Sequence, residues 1–255
     1  MKMTGNTILI TGGGSGIGLA LAEEFAKLGN TVIVAGRSAN KLEAAAKKGF
    51  ATLSVDMTDS ESIQTLAKKA ISQFPNLNGV IHNAGIMKYE NIQKEANLTI
   101  QTETVSTNLL GPMRLTEAFL PHFLLQKSAM IMTVTSGLAY LPLALTPTYS
   151  ATKAGLHSYT ESLRYQLQNT QVEVIELAPP YVQTELTGAA QATDPNAMPL
   201  EDFISEVMQI LNTQPDVREV LVGRVLPLRN CAVGGQEKYQ AFFKQLNDHM
   251  SLARQ

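Results

Sequence analysis

Short apolar runs alternate with amphipathic segments along most of the 255-residue chain. Several of these runs are apolar at successive positions, which is typical of parallel strands that are buried on both faces. The pattern therefore predicts about seven strands, at residues 7–11, 31–35, 51–55, 79–82, 129–134, 172–177 and 217–225.

The segments between the strands carry apolar residues at helical spacing. After the first strand, such residues recur from Ile17 to Leu28, and Gly29 is a typical stop signal for this helix. Further helices are predicted at residues 63–74, 97–126 and 236–252, with another that begins near Thr148.

The helix predicted over residues 97–126 contains Pro112, which lacks the N–H that would bond to the carbonyl of Asn108. We expect the helix to kink at this point and the freed carbonyl to bind water. The alternative is an ordinary kinked core helix with one polar asparagine.

The first strand runs into a glycine-rich turn, Gly12-Gly-Gly-Ser-Gly-Ile-Gly18, that opens the first helix. In a βαβ unit, missing side chains at this turn let the backbone approach a pyrophosphate, and the helix N-terminus attracts its negative charge. The turn therefore predicts a dinucleotide site rather than a plain glycine-rich loop. The expected contacts are Gly12, Gly14, Ser15, Gly16, Ile17 and Gly18.

A second candidate site follows the fifth strand. Ser136 closes that apolar run, and Tyr149 and Lys153 lie four residues apart on one face of a predicted helix. An ammonium beside a phenol favours the phenolate, so we expect Lys153 to lower the pKa of Tyr149. If the Ser136 hydroxyl binds the same substrate oxygen, the three residues predict general acid–base chemistry on a carbonyl or alcohol. Alone, a Tyr-x-x-x-Lys spacing is a weak signal.

Composition argues against several other classes. The formal net charge is −2 and there is no basic cluster, which argues against nucleic acid as a partner. Cys231 is the only cysteine, so no intrachain disulfide is possible. No apolar run approaches the length of a membrane span, and the N-terminal run is too short for a signal peptide. We therefore expect a cytoplasmic protein with no membrane partner.

The spacing Thr11-Gly12-x-x-x-Gly16-Ile-Gly18 resembles that of the short-chain dehydrogenase/reductase family. Other motifs of the family follow in the same order: Asp56, Asn83-Ala-Gly85, Asn108, Ser136, Tyr149-x-x-x-Lys153 and Pro179-x-x-Val-x-Thr184. The chain looks most like the DltE-like branch of these oxidoreductases. The resemblance implies one doubly wound α/β domain of the Rossmann type over residues 1–255, with a central parallel sheet of about seven strands flanked by helices.

The end of the second strand bears on the choice of coenzyme. Arg37 and Ser38 stand where an NAD enzyme usually carries an acid for the ribose 2′-hydroxyl. A guanidinium forks well onto a phosphate, so we expect NADP(H). The alternative is an arginine that only caps a strand end.

The resemblance implies roles for residues further along the chain. Asp56 would bond to the adenine amine, and Asn108 would hold a water that links Lys153 to solvent. The implied coenzyme contacts are Asp56, Met57, Asn83, Ala84, Gly85, Tyr149, Lys153, Pro179, Val182 and Thr184. Two residues depart from the family pattern: His82 replaces an asparagine, and Pro180 replaces a glycine and is expected to stiffen the loop beside the nicotinamide.

Residues 185–200 are small, polar and interrupted by proline and glycine, and they resemble the mobile substrate lid of the family. The expected substrate contacts are Ser136, Leu138, Tyr149 and Tyr181. A wider set of pocket candidates is mostly apolar and favours a hydrophobic or aromatic ketone or aldehyde. These candidates are Leu138, Tyr140, Leu141, Leu143, Met87, Tyr89 and Tyr181.

The implied reaction is hydride transfer between NADP(H) and a carbonyl or secondary alcohol, with reduction as the expected direction and no metal. Tyr149 would be the acid–base, Ser136 would bind the reacting oxygen, and Lys153 would hold the nicotinamide ribose. The family usually forms homodimers or homotetramers, which we also expect here. Two alternatives remain: an NAD-dependent alcohol dehydrogenase on the same scaffold, and a non-catalytic dinucleotide sensor, although such sensors tend to lose the tyrosine or the lysine.

Overall fold

The computed structural model describes residues 2–94 and 97–252, without the side chains of residues 251 and 252. Within these residues, the centre of the molecule is a sheet of seven strands, all parallel. They are β1 (Thr7–Thr11), β2 (Thr31–Gly36), β3 (Ala51–Ser54), β4 (Leu77–His82), β5 (Ala129–Val134), β6 (Val172–Leu177) and β7 (Glu219–Val220). The predicted doubly wound sheet of the Rossmann type is confirmed.

The strands follow the order β3-β2-β1-β4-β5-β6-β7. The chain thus builds outward from β1 in one direction and outward from β4 in the other. In the centre of the sheet, Leu9 of β1 lies between Ile33 of β2 and Val80 of β4. Open α/β sheets bind ligands at the carboxyl ends of the strands where the order reverses. The switch point between β1 and β4 is therefore the expected place for a site.

Helices cover both faces of the sheet. The α-helices of the described residues are α1 (Gly16–Lys27), α2 (Ala39–Lys47), α3 (Ser60–Gln73), α4 (Leu98–Val105), α5 (Gly111–Phe123), α6 (Pro147–Gln166), α7 (Leu200–Thr213), α8 (Leu226–Arg229) and α9 (Gln236–Leu252). On one face Phe25 of α1 packs in a cluster with Phe203 of α7, and on the other Phe119 of α5 packs in a cluster with Leu66 and Leu163. Two apolar layers explain why the strands are apolar at successive positions. None of the helices in the described ranges is long and apolar enough to cross a membrane.

The helix predicted over residues 97–126 is interrupted as expected from Pro112. A π-helical turn, Ser106–Leu110, joins α4 to α5. The turn contains Asn108, whose side chain is fully buried. Single π-turns inside helices often accompany functional sites. In this turn the buried Asn108 side chain lies against Ile86, shortly after β4.

The strand predicted at residues 217–225 is wrong in its extent. β7 contains only Glu219 and Val220, which pair with the end of β6, and the chain then enters a 3₁₀ turn at Gly223–Val225. Val222 and Val225 are fully buried, but they pack against the core without a strand partner. The apolar run after β7 therefore indicates that these residues are buried, and not that they pair with a neighbouring strand.

The predicted lid at residues 185–200 contains more structure than its sequence indicated. A 3₁₀ turn spans Ala189–Thr193, and the segment is anchored where the backbone N–H of Met198 donates to the carbonyl of Tyr181 at 2.8 Å. The predicted third strand also ends one residue early, at Ser54 rather than at Val55. Val55 nevertheless donates its N–H to Gly36 at 2.9 Å.

Candidate active site

A cleft of about 670 Å³ opens at the carboxyl ends of the central strands. The glycine-rich turn after β1 and the start of α2 line one end, and Ser136, Tyr149 and Lys153 line the other. The predicted coenzyme residues in its lining are Gly12, Gly14, Ser15, Gly16, Ile17, Arg37, Ser38, Asn83, Ala84, Gly85, Tyr149, Lys153, Pro179, Val182 and Thr184. The fold thus brings two candidate sites that are far apart in the sequence into one cavity.

The glycine-rich turn packs directly against the end of β4. Gly12 has a φ of +66°, and a Cβ there would lie 2.8 Å from the Cα of Ala84. Asn83 donates its side-chain amide to the carbonyls of Thr11 and Gly12 at 3.1 and 3.2 Å. A Cβ on Gly18 would lie 2.3 Å from that amide nitrogen. Gly18, which does not line the cleft, therefore serves the packing of the turn.

Lys41 is a cleft residue that the sequence analysis missed. It lines the cleft beside Arg37 and Ser38, and its ammonium donates to the Ser15 hydroxyl at 2.9 Å. A Cβ on Gly14 would lie 2.9 Å from the Cβ of Lys41, so this glycine makes room for the lysine. Two cations therefore stand together at this end of the cleft. Lys41 lies in the first turn of α2, and its place in the cleft depends on how α2 packs beside the glycine-rich turn.

Asp56 and Met57, the expected adenine contacts, lie outside the lining of the cleft. One carboxylate oxygen of Asp56 accepts from the backbone N–H and the hydroxyl of Thr58, at 2.9 and 2.8 Å. These hydrogen bonds, the backbone one above all, lower the pKa of Asp56. Met57 is buried, and it packs so closely on Gly111 that a Cβ there would lie 2.9 Å from the methionine methyl carbon. In this structure the pair forms a turn and a core contact.

Tyr149 and Ser136 meet at the other end of the cleft. Tyr149 lies in the first turn of α6, and Glu90 fixes that turn by accepting from the backbone N–H and hydroxyl of Thr148 at 3.0 and 2.7 Å. The Ser136 oxygen accepts from the backbone N–H of Leu138 at 3.1 Å, so the hydroxyl proton of Ser136 takes no part in this bond. A carboxylate is well placed at a helix N-terminus. Glu90 is therefore a support of the site that no local motif revealed.

The pKa of Tyr149 departs from the sequence prediction. The sequence predicts that Lys153 lowers this pKa, but burial raises the pKa of Tyr149 to about 12, and the Ser136 hydroxyl only partly opposes that rise. The tyrosine is nearly fully buried, at 6% exposure. Desolvation of the phenolate is therefore the larger effect in the protein alone. The phenol of Tyr149 is accordingly in its protonated form at neutral pH.

Lys153 is buried directly behind the tyrosine. Its ammonium donates to the carbonyl of Val134 at 2.7 Å and lies 5.6 Å from the centroid of the Tyr149 ring. Burial lowers the pKa of Lys153 to about 8, against an opposing effect of the Glu176 carboxylate. The pKa of Lys153 therefore lies near neutral pH, which suits a group that transfers protons.

Asn108 holds the π-helical turn against the end of β4. Its side-chain oxygen accepts from the N–H of Ile86, and its amide donates to the carbonyl of Ile86, each at 2.9 Å. The amide also donates to the Thr152 hydroxyl at 3.3 Å. The sequence predicts a free main-chain carbonyl at Asn108. The structure adds a side chain that links the cleft wall to the helix of Lys153.

Only part of the predicted substrate pocket lines the cleft in this structure. Of its candidates, Met87 lines the cleft, whereas Leu138, Tyr140, Leu141, Leu143, Tyr89 and Tyr181 lie outside the lining. Leu141 and Leu143 belong to the buried interior, and the Tyr181 hydroxyl donates to Asp194 at 3.0 Å. Ile86, Pro180, Leu186 and Leu200 also line the cleft, and substrate contacts by Leu138 and Tyr181 stay a prediction.

Gln191 organises the segment that was predicted as a lid. Its side-chain amide donates to the carbonyl of Val182 at 2.8 Å and to the hydroxyl of Thr184 at 3.1 Å, and its oxygen accepts two bonds from Thr187. Gln191 is buried and lines the cleft. A glutamine within a polar loop carries no such signal in the sequence, because its partners depend on how the loop folds.

Comparisons with known proteins agree on the class of protein. The model of the short chain dehydrogenase family matches residues 6–195. The chain is 39% identical over 253 residues to an uncharacterized oxidoreductase, DltE, of Bacillus subtilis (strain 168), a match that covers 97% of this chain and 98% of that protein.

Two solved structures share the fold. A short chain dehydrogenase from Burkholderia cenocepacia J2315 in complex with NADP has a TM-score of 0.80 at 22% identity, covering 96% of this chain and 99% of that one. A short chain dehydrogenase/reductase from Burkholderia phymatum in complex with NAD has a TM-score of 0.76 at 21% identity, covering 91% and 94%. At these identities they are relatives in fold, and they differ from each other in coenzyme.

Proposed function

The chain belongs to the short chain dehydrogenase family, and from that premise we propose that it is an NADPH-dependent reductase of ketones or aldehydes. One observation carries the proposal. A single cleft places Arg37 and Lys41 at one end and Ser136, Tyr149 and Lys153 at the other. A dinucleotide that runs along this cleft would have its 2′-phosphate at the cations and its nicotinamide at the acid–base group.

The glycine-rich turn fits a dinucleotide. Gly12 and Gly16 adopt positive φ, and the turn leads into α1, whose N-terminus is suited to an anion. We assign the pyrophosphate to this turn and the nicotinamide half to the segments Asn83–Gly85 and Pro179–Thr184, which line the same cleft. When bound, NADPH supplies the hydride that the protein itself lacks.

A 2′-phosphate explains why two cations stand together at the end of β2. Arg37 and Lys41 line the cleft with the hydroxyls of Ser15 and Ser38, and the end of β2 carries no carboxylate for a ribose hydroxyl. A guanidinium and an ammonium both donate strongly to phosphate oxygens. The coenzyme in the Burkholderia cenocepacia structure is NADP and in the Burkholderia phymatum structure NAD, so the preference is argued from these residues alone.

In the proposed reduction, Tyr149 gives its proton to the substrate oxygen as the carbonyl carbon accepts the hydride. The raised pKa of Tyr149 keeps that proton in place before the reaction. The Ser136 hydroxyl donates a hydrogen bond to the same oxygen and holds it beside the phenol. Lys153, with its pKa lowered to about 8, then returns a proton to Tyr149. The carbonyl becomes a secondary or primary alcohol.

The proposed substrate is hydrophobic or aromatic. Ile86, Met87, Pro180 and Leu186 contribute apolar wall to the cleft. Apolar walls with a few placed polar groups are typical of small-molecule sites. We further propose that the protein is cytoplasmic. We also propose that it acts as a homodimer or homotetramer, and light scattering of the purified protein tests this number of subunits.

The experiment is a screen of NADPH oxidation over aldehydes, aryl ketones and keto esters, repeated with NADH. We expect turnover of at least one class, with a higher kcat/KM for NADPH. Equal or better use of NADH, unchanged in Arg37→Ala, would favour the NAD-dependent alcohol dehydrogenase. Tight NADPH binding without oxidation across the panel would favour the dinucleotide sensor.

A further inference from the structure

Glu176, at the end of β6, is a carboxylate with no exposed surface. One of its oxygens accepts from the Thr135 hydroxyl at 2.6 Å and from the Tyr140 hydroxyl at 3.1 Å. The other lies 2.8 Å from Nδ1 of His157. A buried carboxylate is costly unless its oxygens are hydrogen bonded. This arrangement therefore requires all three partners to stay where they are.

The three partners belong to the segments that carry the candidate catalytic groups. Thr135 directly precedes Ser136, and Tyr140 lies in the segment that follows it. His157 lies four residues after Lys153, one turn further along α6. One buried carboxylate thus joins the segment of Ser136 to the helix of Tyr149 and Lys153.

A second layer of charges surrounds this carboxylate. Arg229 lies 4.8 Å from the centroid of the Tyr140 ring and donates two hydrogen bonds to Glu219, both at 3.1 Å. Glu219 is the β7 residue that pairs with Glu176 in the sheet. The other imidazole nitrogen of His157 lies 3.7 Å from Glu161. The cluster therefore extends from the cleft to the edge strand.

The cluster is better explained as an ion-pair network than as a metal site. His157, Glu176 and Glu219 hold three potential ligand atoms within 4.8 Å of one another. The oxygens of Glu176 already accept from Thr135 and Tyr140, however, and the guanidinium of Arg229 covers Glu219. A cation at this point would stand beside that guanidinium.

We propose that Glu176 is a positioning residue of the active site, which holds Ser136 in register with Tyr149 and Lys153 and supplies a buried negative charge beside them. The inference rests on the proposed function. It goes further by assigning a role to a residue that does not line the cleft.

The charge of Glu176 acts on the groups that face it. Although burial opposes ionisation, hydrogen bonds from His157 and Thr135 hold the pKa of Glu176 below its ordinary value. The carboxylate in turn raises the pKa of His157 through their hydrogen bond, and it opposes the fall in the pKa of Lys153. The other charged groups of the cluster are Glu161 on α6, Glu219 on β7 and Arg229 on α8.

The test compares Glu176→Gln, which keeps the shape and removes the charge, with Tyr140→Phe, which removes one hydrogen bond and keeps the charge. With the carbonyl found in the screen, we expect Glu176→Gln to lower kcat by about 10- to 100-fold, because misplaced reacting groups cost rates of this order. The dissociation constant for NADPH should stay near that of the wild type.

The pH profile separates positioning from simple structural support. Without the negative charge of Glu176, Lys153 loses its proton more easily, so the high-pH fall of kcat should move to lower pH in Glu176→Gln. In Tyr140→Phe it should stay where it is in the wild type. An unmoved fall in Glu176→Gln, or a kcat equal to that of the wild type, overturns the proposal.

A readout without turnover keeps this inference distinct from the proposed function. Proton NMR titration should show the pKa of His157 above its ordinary value in the wild type and lower in Glu176→Gln. An unchanged His157 titration rejects the buried charge, whatever the enzyme reduces. A wild-type protein that oxidises no NADPH rejects the proposed function, while the titration still decides whether Glu176 carries that charge.

Discussion

The two ends of the cleft are built in different ways. The coenzyme end consists of backbone and glycine, in which Gly12 and Gly18 allow the turn after β1 to close onto Asn83. The substrate end is held by side chains that arrive from distant parts of the chain. Glu176 of β6 binds Tyr140, and Asn247 of α9 binds the backbone near Ala144.

This difference predicts different consequences of substitution. At the coenzyme end, glycines and main-chain carbonyls of neighbouring segments pack against Asn83, so side-chain changes there act on the charge presented to a coenzyme or on the stability of the fold. At the substrate end, the Asn247 contact joins two segments outside the sheet, so it can change without altering strand pairing. Substitutions at the two ends should therefore separate coenzyme binding from substrate binding.

The largest expected effect lies at the substrate end of the cleft, at Tyr149. Tyr149→Phe removes the proton donor, and we expect turnover to fall by about 100- to 10,000-fold, the usual contribution of general acid catalysis. NADPH binding should persist, which fluorescence titration of the coenzyme measures. Tyr165→Phe is the matched control, because Tyr165 lies on the same helix with its side chain exposed. Activity near that of the wild type in Tyr149→Phe would remove this residue from the mechanism.

The next effect tests the coenzyme end alone. We expect Arg37→Ala to weaken NADPH binding by about 10- to 100-fold, because hydrogen bonds between charged groups contribute about 1.5–3 kcal/mol each. Lys41→Ala should have a smaller effect in the same direction, since its ammonium is shared with Ser15. Binding of NADH should change little in either variant. Isothermal titration with both coenzymes measures the four constants.

Lys47→Ala is the control for these two variants, because Lys47 is an exposed lysine of the same helix α2 that pairs with Glu43. If Lys41→Ala weakens the binding of NADH and of NADPH by the same factor, the lysine does not recognise the 2′-phosphate.

The sequence predicted local patterns better than contacts between distant elements, for a physical reason. The turn Gly12–Gly18 and the pair Tyr149 and Lys153 are local patterns whose geometry follows from a strand-to-helix turn and from helical spacing. Lys41 and Glu90 depend on which elements become neighbours in the fold. A short apolar run such as residues 217–225 is equally buried with or without a strand partner, so its pattern could not predict that β7 would end at Val220.

The pKa of Tyr149 also depends on the whole fold, although the sequence correctly placed Lys153 near its ring. The spacing placed Lys153 beside the tyrosine, and the structure puts its ammonium 5.6 Å from the ring centroid. The sequence did not reveal how completely the fold would bury both groups. Desolvation, which depends on the whole surrounding structure, therefore outweighs the favourable charge that the spacing predicted.

A smaller effect should appear only at the substrate end. The Asn247 side chain accepts from the N–H of Ala144 at 2.6 Å and donates to the carbonyl of Pro142 at 3.2 Å. Asn247→Ala removes both contacts and loosens the segment after Ser136. We expect the KM for the carbonyl to rise by about 2- to 10-fold, the range of one ordinary hydrogen bond, with the KM for NADPH unchanged. Gln245→Ala, at an exposed position of the same helix, should leave both constants unchanged.

Should Asn247→Ala instead raise the KM for NADPH as strongly as that for the carbonyl, the two ends of the cleft would be coupled. The proposed separation between a backbone-built end and an end held by distant side chains would then be wrong.

The smallest effect at neutral pH concerns the stability of the coenzyme end. His82 directly precedes Asn83 and is buried, with Nε2 2.9 Å from the Thr116 hydroxyl, and burial lowers its pKa from the ordinary 6.5 to about 3. As pH falls from 6.5 toward 3, His82 binds a proton in the unfolded chain but stays neutral in the folded chain. This group therefore stabilises the fold above pH 6.5 and loses about 1.4 kcal/mol of that contribution for each pH unit below it.

His82→Asn introduces an amide that does not titrate, so its thermal midpoint should fall less than that of the wild type between pH 6 and pH 4. Calorimetry at several pH values measures both curves. Parallel curves would mean that His82 takes up its proton within the fold. The packing behind Asn83 would then be looser than the close contacts of Gly12 and Gly18 indicate, and the coenzyme end would owe less of its form to rigid backbone packing.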